Sequence, residues 1–380
     1  MSTSILDFKY FLLPFGKGAL MKLCSIFIFL VISIGGIAEE LPYFNPYLET
    51  FETIEGKPTL SSDRVMFFED SQNAKPWPIE FYKRLAQKIE NGFMLEYDFL
   101  FSQSGQKIKT PIHFIFTDRL SNQGNASYVY QAFYAALYKD KHGYEAILVN
   151  PFGIKEEELH FYIAHELFHL YYRLQNREIH RWMDEGLAQF FAYQLTHFIP
   201  QFQITKYFEN PDVALEEFPD SQAKYYGNSF LFYYYLYLHY FPEKGDFKRF
   251  ISMSHPKELF EEDQWKTVLQ EFSIAKLLNT IYVHDQKHYS LKPLYGKVVP
   301  LEALPENFKS KEYLSLYVRG SDENYEATLA LKKKLKLEHW DAETVYVIQP
   351  EFGKVQIVSR LNDELSSQPY VIVFLLYKPF

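Results

Sequence analysis

The stretch His165-Glu166-Leu167-Phe168-His169, set between Tyr162-Ile163-Ala164 and Leu170-Tyr171-Tyr172, decides how the rest of the chain is read. Its flanks are apolar and free of proline and glycine, which predicts a helix over about 155–174. Glu156, Glu157 and Glu158 stand at its start, where negative charge suits the helix dipole. On a helix, positions i and i+4 share a face, so the two imidazoles stand side by side and can share one metal ion. Glu166 follows the first histidine directly, where its carboxylate can hold a water and take its proton. The competing reading is a buried helix whose histidines are hydrogen-bonded core residues.

Downstream, a short polar link from Gln175 to Arg181 leads into Trp182-Met183-Asp184-Glu185-Gly186-Leu187-Ala188. This segment predicts a second helix over about 182–198, ended by Pro200. A carboxylate there can supply a third metal ligand. Asp184 and Gln189 are candidates to fix the second nitrogen of a ligand histidine, as ligating imidazoles usually require. Other histidines fit less well. His160 lies five residues before His165, about 140° around the helix. His180 only precedes the Trp182 segment, and His284 and His288 have the i, i+4 spacing without a following glutamate segment.

The chain has 380 residues and a net charge of −9, enough for two or three domains and without a Lys/Arg cluster. That balance argues against nucleic-acid binding. The 36 Phe and 31 Tyr read first as core. Met21-Lys22 followed by the apolar run Leu23–Ala38, with Gly36 and Ala38 as small residues before a cut, predicts a secretory signal. The first 38 residues are then the signal region, Met21 is the natural start, and the mature chain begins at Glu39. The expected location is secreted, periplasmic or cell-envelope. A membrane is a partner only if this run, short for a span of about 20 residues, stays uncleaved as an anchor. Cys24, the only cysteine, lies inside it, so the mature chain has no thiolate for zinc. Asn125-Ala126-Ser127 is a glycosylation sequon, relevant only in a eukaryotic secretory pathway.

Residues 39–78, with five prolines, read as a wrapping arm with little regular structure. Helical spacing runs from Ile79 to about Phe101. Ile112–Phe116 and Glu145–Val149 are strand signals, and 128–138 forms a short helix or strand. A third helix follows Pro219-Asp220-Ser221, with Ser221 as N-cap, and runs through Phe230–Leu236. Shorter helices are expected near 246–253, 263–272 and 274–283. Beyond about 286 the pattern changes to strand-like runs: Tyr313–Val318, Tyr325–Leu331, Thr344–Ile348, Lys354–Val358 and Tyr370–Leu376. Pro350–Gly353 forms a hairpin turn between two of them. The fold class is therefore α+β: a catalytic domain of a small sheet plus helices over 39–285, and an antiparallel β domain, a sandwich, over 286–380.

The order of helix, two strands, His-Glu-x-x-His helix and glutamate helix resembles the gluzincin zinc metallopeptidases. It is most similar to the compact peptidase-MA-like group, distant relatives of the M1 aminopeptidases. The resemblance rests on His165, Glu166, His169, Trp182 and Glu185-Gly186-Leu187-Ala188, and covers roughly residues 80–285. It implies a zincin-like catalytic domain with Zn2+ on His165, His169 and Glu185, Glu166 as general base, and a peptide or protein substrate. It also implies that the strand Glu145–Val149 lies at the rim of the cleft and pairs with an extended peptide. A tyrosine on the next helix donates to the oxyanion in such enzymes. Lys224 holds that place relative to Gly227; Tyr225 is the choice here, with Asn228 in the small-residue place and Tyr226 as the neighbouring alternative. Both tyrosines also read as packing residues. The link between His169 and Glu185 is slightly shorter than in the aminopeptidases. Their Gly-x-Met-x-Asn amine-recognition motif has no counterpart before His165, which favours an endopeptidase. Asp140 and Glu145 are acidic residues upstream that can substitute for that motif, and both read first as surface charge.

Two histidines and one carboxylate leave zinc an open fourth position, the pattern of catalytic rather than structural sites. Bound water then has a pKa near 7, and Glu166 takes its proton and hands it to the leaving amine. Zinc and the Tyr225 hydroxyl hold the oxyanion. Two further readings use the same residues: a non-catalytic surface or binding protein on a relic scaffold, and a zinc hydrolase of a non-peptide bond. The intact Glu166 argues against a relic.

Overall fold

The structure is a computed structural model. It describes residues 38–280 except 46–49, 74–76, 103–107, 109, 119–131, 135–144, 174–178, 212 and 220–221, and beyond 280 only 315–319, 330, 333, 341–348, 356–360 and 370–377. The signal-region reading, the sequon and His284 and His288 lie outside the described residues. Among the described residues no helix is long and apolar enough to cross a membrane.

The fold is α+β. Three N-terminal strands, β1 (Glu39–Asn45), β2 (Thr50–Ser61) and β3 (Val65–Asp70), form an antiparallel meander. Strands β4 (Ile112–Phe116), β5 (Ala132–Tyr134) and β6 (Ala146–Val149) extend it to six strands in the order β1-β2-β3-β4-β6-β5. The β3–β4 and β4–β6 pairs are parallel, and β5 runs antiparallel to β6 at the far edge.

Strand alternation sorts the side chains onto two faces. Val65, Phe67, Ile112, Phe114, Phe116, Ile147 and Val149 join the main core under the helices. Leu41, Ile54, Phe68, Ile115, Ala146 and Leu148 form a second, smaller cluster.

The expected wrapping arm over 39–78 is thus corrected to three strands. Pro42 and Pro58 sit where a sheet tolerates a missing N–H. Pro42 lies on edge strand β1, opposite Thr53. Pro58 lies beyond the stretch of β2 that pairs with β1, at the register shift opposite β3.

Helix α1 (Ile79–Lys88) passes through a π-helical turn, Ile89–Met94, into α2 (Leu95–Leu100). Then come α3 (Glu156–Arg173), α4 (Arg181–Thr196), α5 (Gln201–Glu209), α6 (Ala223–His239), α7 (Phe247–Ser252) and α8 (Glu262–Thr280). Three expectations change. Pro200 ends no helical region; it is the N-cap of α5. The N-cap of α6 is Gln222, not Ser221, and its side chain makes no capping bond. The two expected helices over 263–283 are one continuous α8.

In the C-terminal part, β7 (Ser315–Arg319), β8 (Asp341–Ile348), β9 (Gln356–Val358) and β10 (Tyr370–Tyr377) form one antiparallel sheet, ordered β7-β10-β8-β9. The Pro350–Gly353 turn and most of 325–331 lie outside the described residues; Ala330, inside that expected strand, is helical. Val347 and Val373 join the main core.

Candidate metal centre

Helix α3 is buried on most of its circumference, and both histidines of the quoted stretch point into the gap between α3 and α4. Tyr97 of α2 donates to the Ala164 carbonyl at 2.7 Å in the core, which ties this turn of α3 to the helix beneath it. Trp182 anchors the start of α4: it is 1% exposed, stacks on Tyr233 of α6 and meets His255 edge-on. Gly186, next to Glu185, lets α6 approach closely. A Cβ there would lie 2.9 Å from both the Ser229 Cβ and the Tyr233 ring.

This packing brings three donors together. His165 Nε2 lies 3.2 Å from Glu185 Oε2, His169 Nε2 lies 3.4 Å from the same oxygen, and the two Nε2 atoms are 3.1 Å apart. One potential metal-binding group of His, Cys, Asp or Glu is found among the described residues, and it is this one. Zinc–donor bonds of about 2.0–2.1 Å at tetrahedral angles put donors roughly 3.3–3.4 Å apart. The triangle matches one face of such a tetrahedron, so the residues fit a zinc ion with one corner left open.

The surroundings fix part of this group. His169 Nδ1 is 2.9 Å from Asp184 Oδ1, so Asp184 does occupy the place expected of an orienting carboxylate. Gln189 does not: it is buried, but its Oε1 and the Nδ1 of His165 both lack a hydrogen-bond partner. Burial pushes the His169 imidazolium down, but Asp184 and Glu185 outweigh it and hold the pKa well above the ordinary value. Burial also opposes charge on Glu185, yet the two histidines pull its carboxyl well below the usual range. Burial pushes His165 down, against its bond to Glu185 and with the help of the neighbouring His169 charge. A charged histidine, a neutral one and a carboxylate thus share the space a divalent cation would take.

Glu166 is buried on α3 beside His165 and outside the ligand triangle. Tyr225 is buried on α6 against Phe218, with the Lys224 ammonium over its ring; Tyr226 meets the same phenylalanine. Both tyrosines stand one turn before Ser229, the residue that meets Gly186. His160 faces Glu156 and Phe93, and His180 is the N-cap of α4; neither belongs to the triangle. Glu145–Val149 is corrected as a rim strand: β6 pairs on both sides, and β5 takes the edge beyond it. Sequence reasoning missed the Tyr97 tie and the contact of Ser229 and Tyr233 with α4. Gly186 inside a helix was the available signal for that close approach.

No protein-family model matches the chain, and no curated protein matches it either.

Proposed function

We propose that the protein is a zinc-dependent metallopeptidase of the gluzincin kind, cutting peptide bonds internally. The observation that carries this reading is the triangle of His165, His169 and Glu185 with 3.1–3.4 Å edges. Zinc, when bound there, would supply a Lewis acid and a water acidified to a pKa of about 7. Glu166, adjacent to the first ligand, takes the proton of the attacking water and passes it to the leaving amine. Asp184 holds the Nδ1 side of His169 and so keeps Nε2 turned toward Glu185. Tyr225 is assigned as donor to the developing oxyanion, on its place in α6. The zincin-like frame, the peptide substrate, and export through a signal segment ending at Ala38 belong to the same proposal. The C-terminal strands form a β unit in it that shares the main core through Val347 and Val373.

Elemental analysis of the purified chain, followed by cleavage of a peptide library, tests the reading. About one zinc per chain and internal cuts are expected. Glu166→Gln should keep its zinc and lose turnover by about 10²–10⁴-fold, because an amide cannot accept the proton. A near-native rate in that variant would remove Glu166 from the mechanism. One peptide with a free and with an acetylated N-terminus separates the cleavage modes. If acetylation abolishes cleavage and single N-terminal residues are released, the enzyme is an exopeptidase.

A further inference from the structure

A concave site lies where the π-helical turn between α1 and α2 faces the C-terminal half of α4 and the 242–247 segment. Its volume is about 390 Å³, within the range of small-molecule sites, roughly 300–1,000 Å³. None of the three candidate metal ligands lines it. Its apolar wall comes from Phe93, Leu100, Phe191, Leu195 and Phe247, and its polar rim from Lys88, Asn91, Glu96 and Lys244.

Three observations give this cleft a chemical character. First, its rim is cationic on a chain of net charge −9. Lys244 is paired with Glu96 at 2.5 Å, while Lys88 lies over the Phe93 ring, with no carboxylate in salt-bridge range among the described residues. Second, two of the three large exposed hydrophobic side chains among the described residues, Leu95 at 53% and Phe99 at 48%, sit on α2 beside the cleft. The ammonium groups of Lys244 and Lys248 lie 5.6 and 4.1 Å from the Phe99 ring centre. Third, the wall contains the π-helical turn Ile89–Met94, a costly local conformation that recurs at functional sites. Gly92 in that turn leaves the wall open: a Cβ added there meets nothing closer than the Lys88 Cδ at 4.0 Å.

We propose that this cleft binds a small amphiphilic organic anion. Its apolar part lies against Phe93, Phe191 and Phe247, and its anionic head is held at Lys88 and the Asn91 amide. A volume of this size excludes a folded partner, and a lining that is about as polar as apolar suits a molecule carrying both an apolar part and a polar head. The Lys88 ammonium, without a carboxylate partner among the described residues, selects the sign of the head group.

Decanoate is the probe, measured by calorimetry on the full purified chain, with decyltrimethylammonium as the chain-matched cation and acetate as the head without a chain. Saturable one-to-one binding of decanoate is expected, at least tenfold weaker binding of the cation, and none of acetate. Lys88→Glu, at an exposed position, should weaken decanoate at least tenfold. Gly92→Leu should abolish binding by filling the cleft from its own wall, with unchanged thermal unfolding and unchanged zinc content. Vesicles of phosphatidylglycerol provide the other source of an anionic amphiphile. Binding to vesicles that Gly92→Leu leaves intact, with no binding of free decanoate, would overturn the cleft in favour of a membrane-facing Leu95–Phe99 patch. Equal binding of both detergents, or native binding by Gly92→Leu, would also overturn it.

Discussion

The His165–His169–Glu185 group and Lys276 are both buried, yet they hold charge in opposite ways. In the first, every charge faces an opposite one within 3.4 Å, and Asp184 adds a further carboxylate. Lys276 on α8 is 2% exposed and faces an amide and two rings. Its Nζ lies 3.5 Å from Asn228 Oδ1, 4.3 Å from the Phe272 ring centre and 5.1 Å from that of Tyr207. Asn228 is oriented for this by its own amide, which donates to the carbonyls of Val213 and Ala214. A buried ion with partners stays ionised; one without them gives up its proton. In the candidate metal group, a divalent cation would therefore take the place of the histidine proton. Lys276 has no such exchange open to it and is held near neutrality, its pKa pushed by burial down to about 7.

The largest effect should come from breaking the balanced group. Glu185→Ala and His165→Ala should each reduce bound zinc from about one per chain to near zero by elemental analysis. Removing one partner of a buried ion pair costs about 3–5 kcal/mol. Glu185→Ala should therefore also unfold earlier than the parent when both are stripped of metal. Unchanged zinc stoichiometry in both variants would return the histidines to the core-residue reading.

The unbalanced lysine should respond in the other direction. Its ordinary pKa is 10.5, and the folded value is about 7. Between those limits the unfolded chain binds a proton that the folded chain does not, so stability falls as pH drops from about 10.5 to 7 and this contribution is constant below 7. Lys276→Met should flatten that slope in denaturant titrations. It should raise stability near pH 7 by roughly 1–3 kcal/mol. The lost burial cost is worth about 1.4 kcal/mol per pH unit, and leaving Asn228 Oδ1 unbonded offsets part of it. A parent protein whose stability is level over pH 7–10 would mean that Lys276 is already paired or solvated.

The contrast between these two places also tracks what the sequence made legible. The candidate metal group was readable because its geometry is local. Four-residue spacing on one helix fixes two donors, and only Glu185 had to come from elsewhere. The strands Ile112–Phe116 and Ala146–Val149 were readable for the same reason, as dense apolar runs. Lys276 was not, because nothing within α8 marks it; its burial is decided by α5 and α6, which supply Tyr207 and Asn228. The N-terminal meander failed as a reading for a related reason. Pro42 and Pro58 are strand breakers in a local pattern, and only the strand pairing places one on edge strand β1 and the other at the register shift between β2 and β3. The helix Gln201–Glu209 was hidden behind Pro200, which starts a helix as readily as it ends one. The place of α6 against Gly186 depends on two glycines: a Cβ on Gly227 would sit 2.2 Å from the Gln203 carbonyl of α5.

The smallest expected effect tests whether charge or geometry matters more in the balanced group. Asp184 is 34% exposed at its side chain, so its charge is partly screened, but its oxygen accepts from His169 Nδ1 at 2.9 Å. Asp184→Asn keeps an acceptor oxygen in place and removes the charge; Asp184→Ala removes both. Loss of an outer partner of a ligating histidine typically costs about 10–100-fold in metal affinity. If orientation dominates, the asparagine variant should bind zinc within a few-fold of the parent and the alanine variant should lose the full amount, as read by chelator competition. If charge dominates, the two variants should weaken zinc equally, and the His169 proton should then be easier to remove in both metal-free forms, as followed by NMR titration of the imidazole. Native affinity in both variants would separate Asp184 from the metal centre altogether and leave His165, His169 and Glu185 to hold the ion unaided.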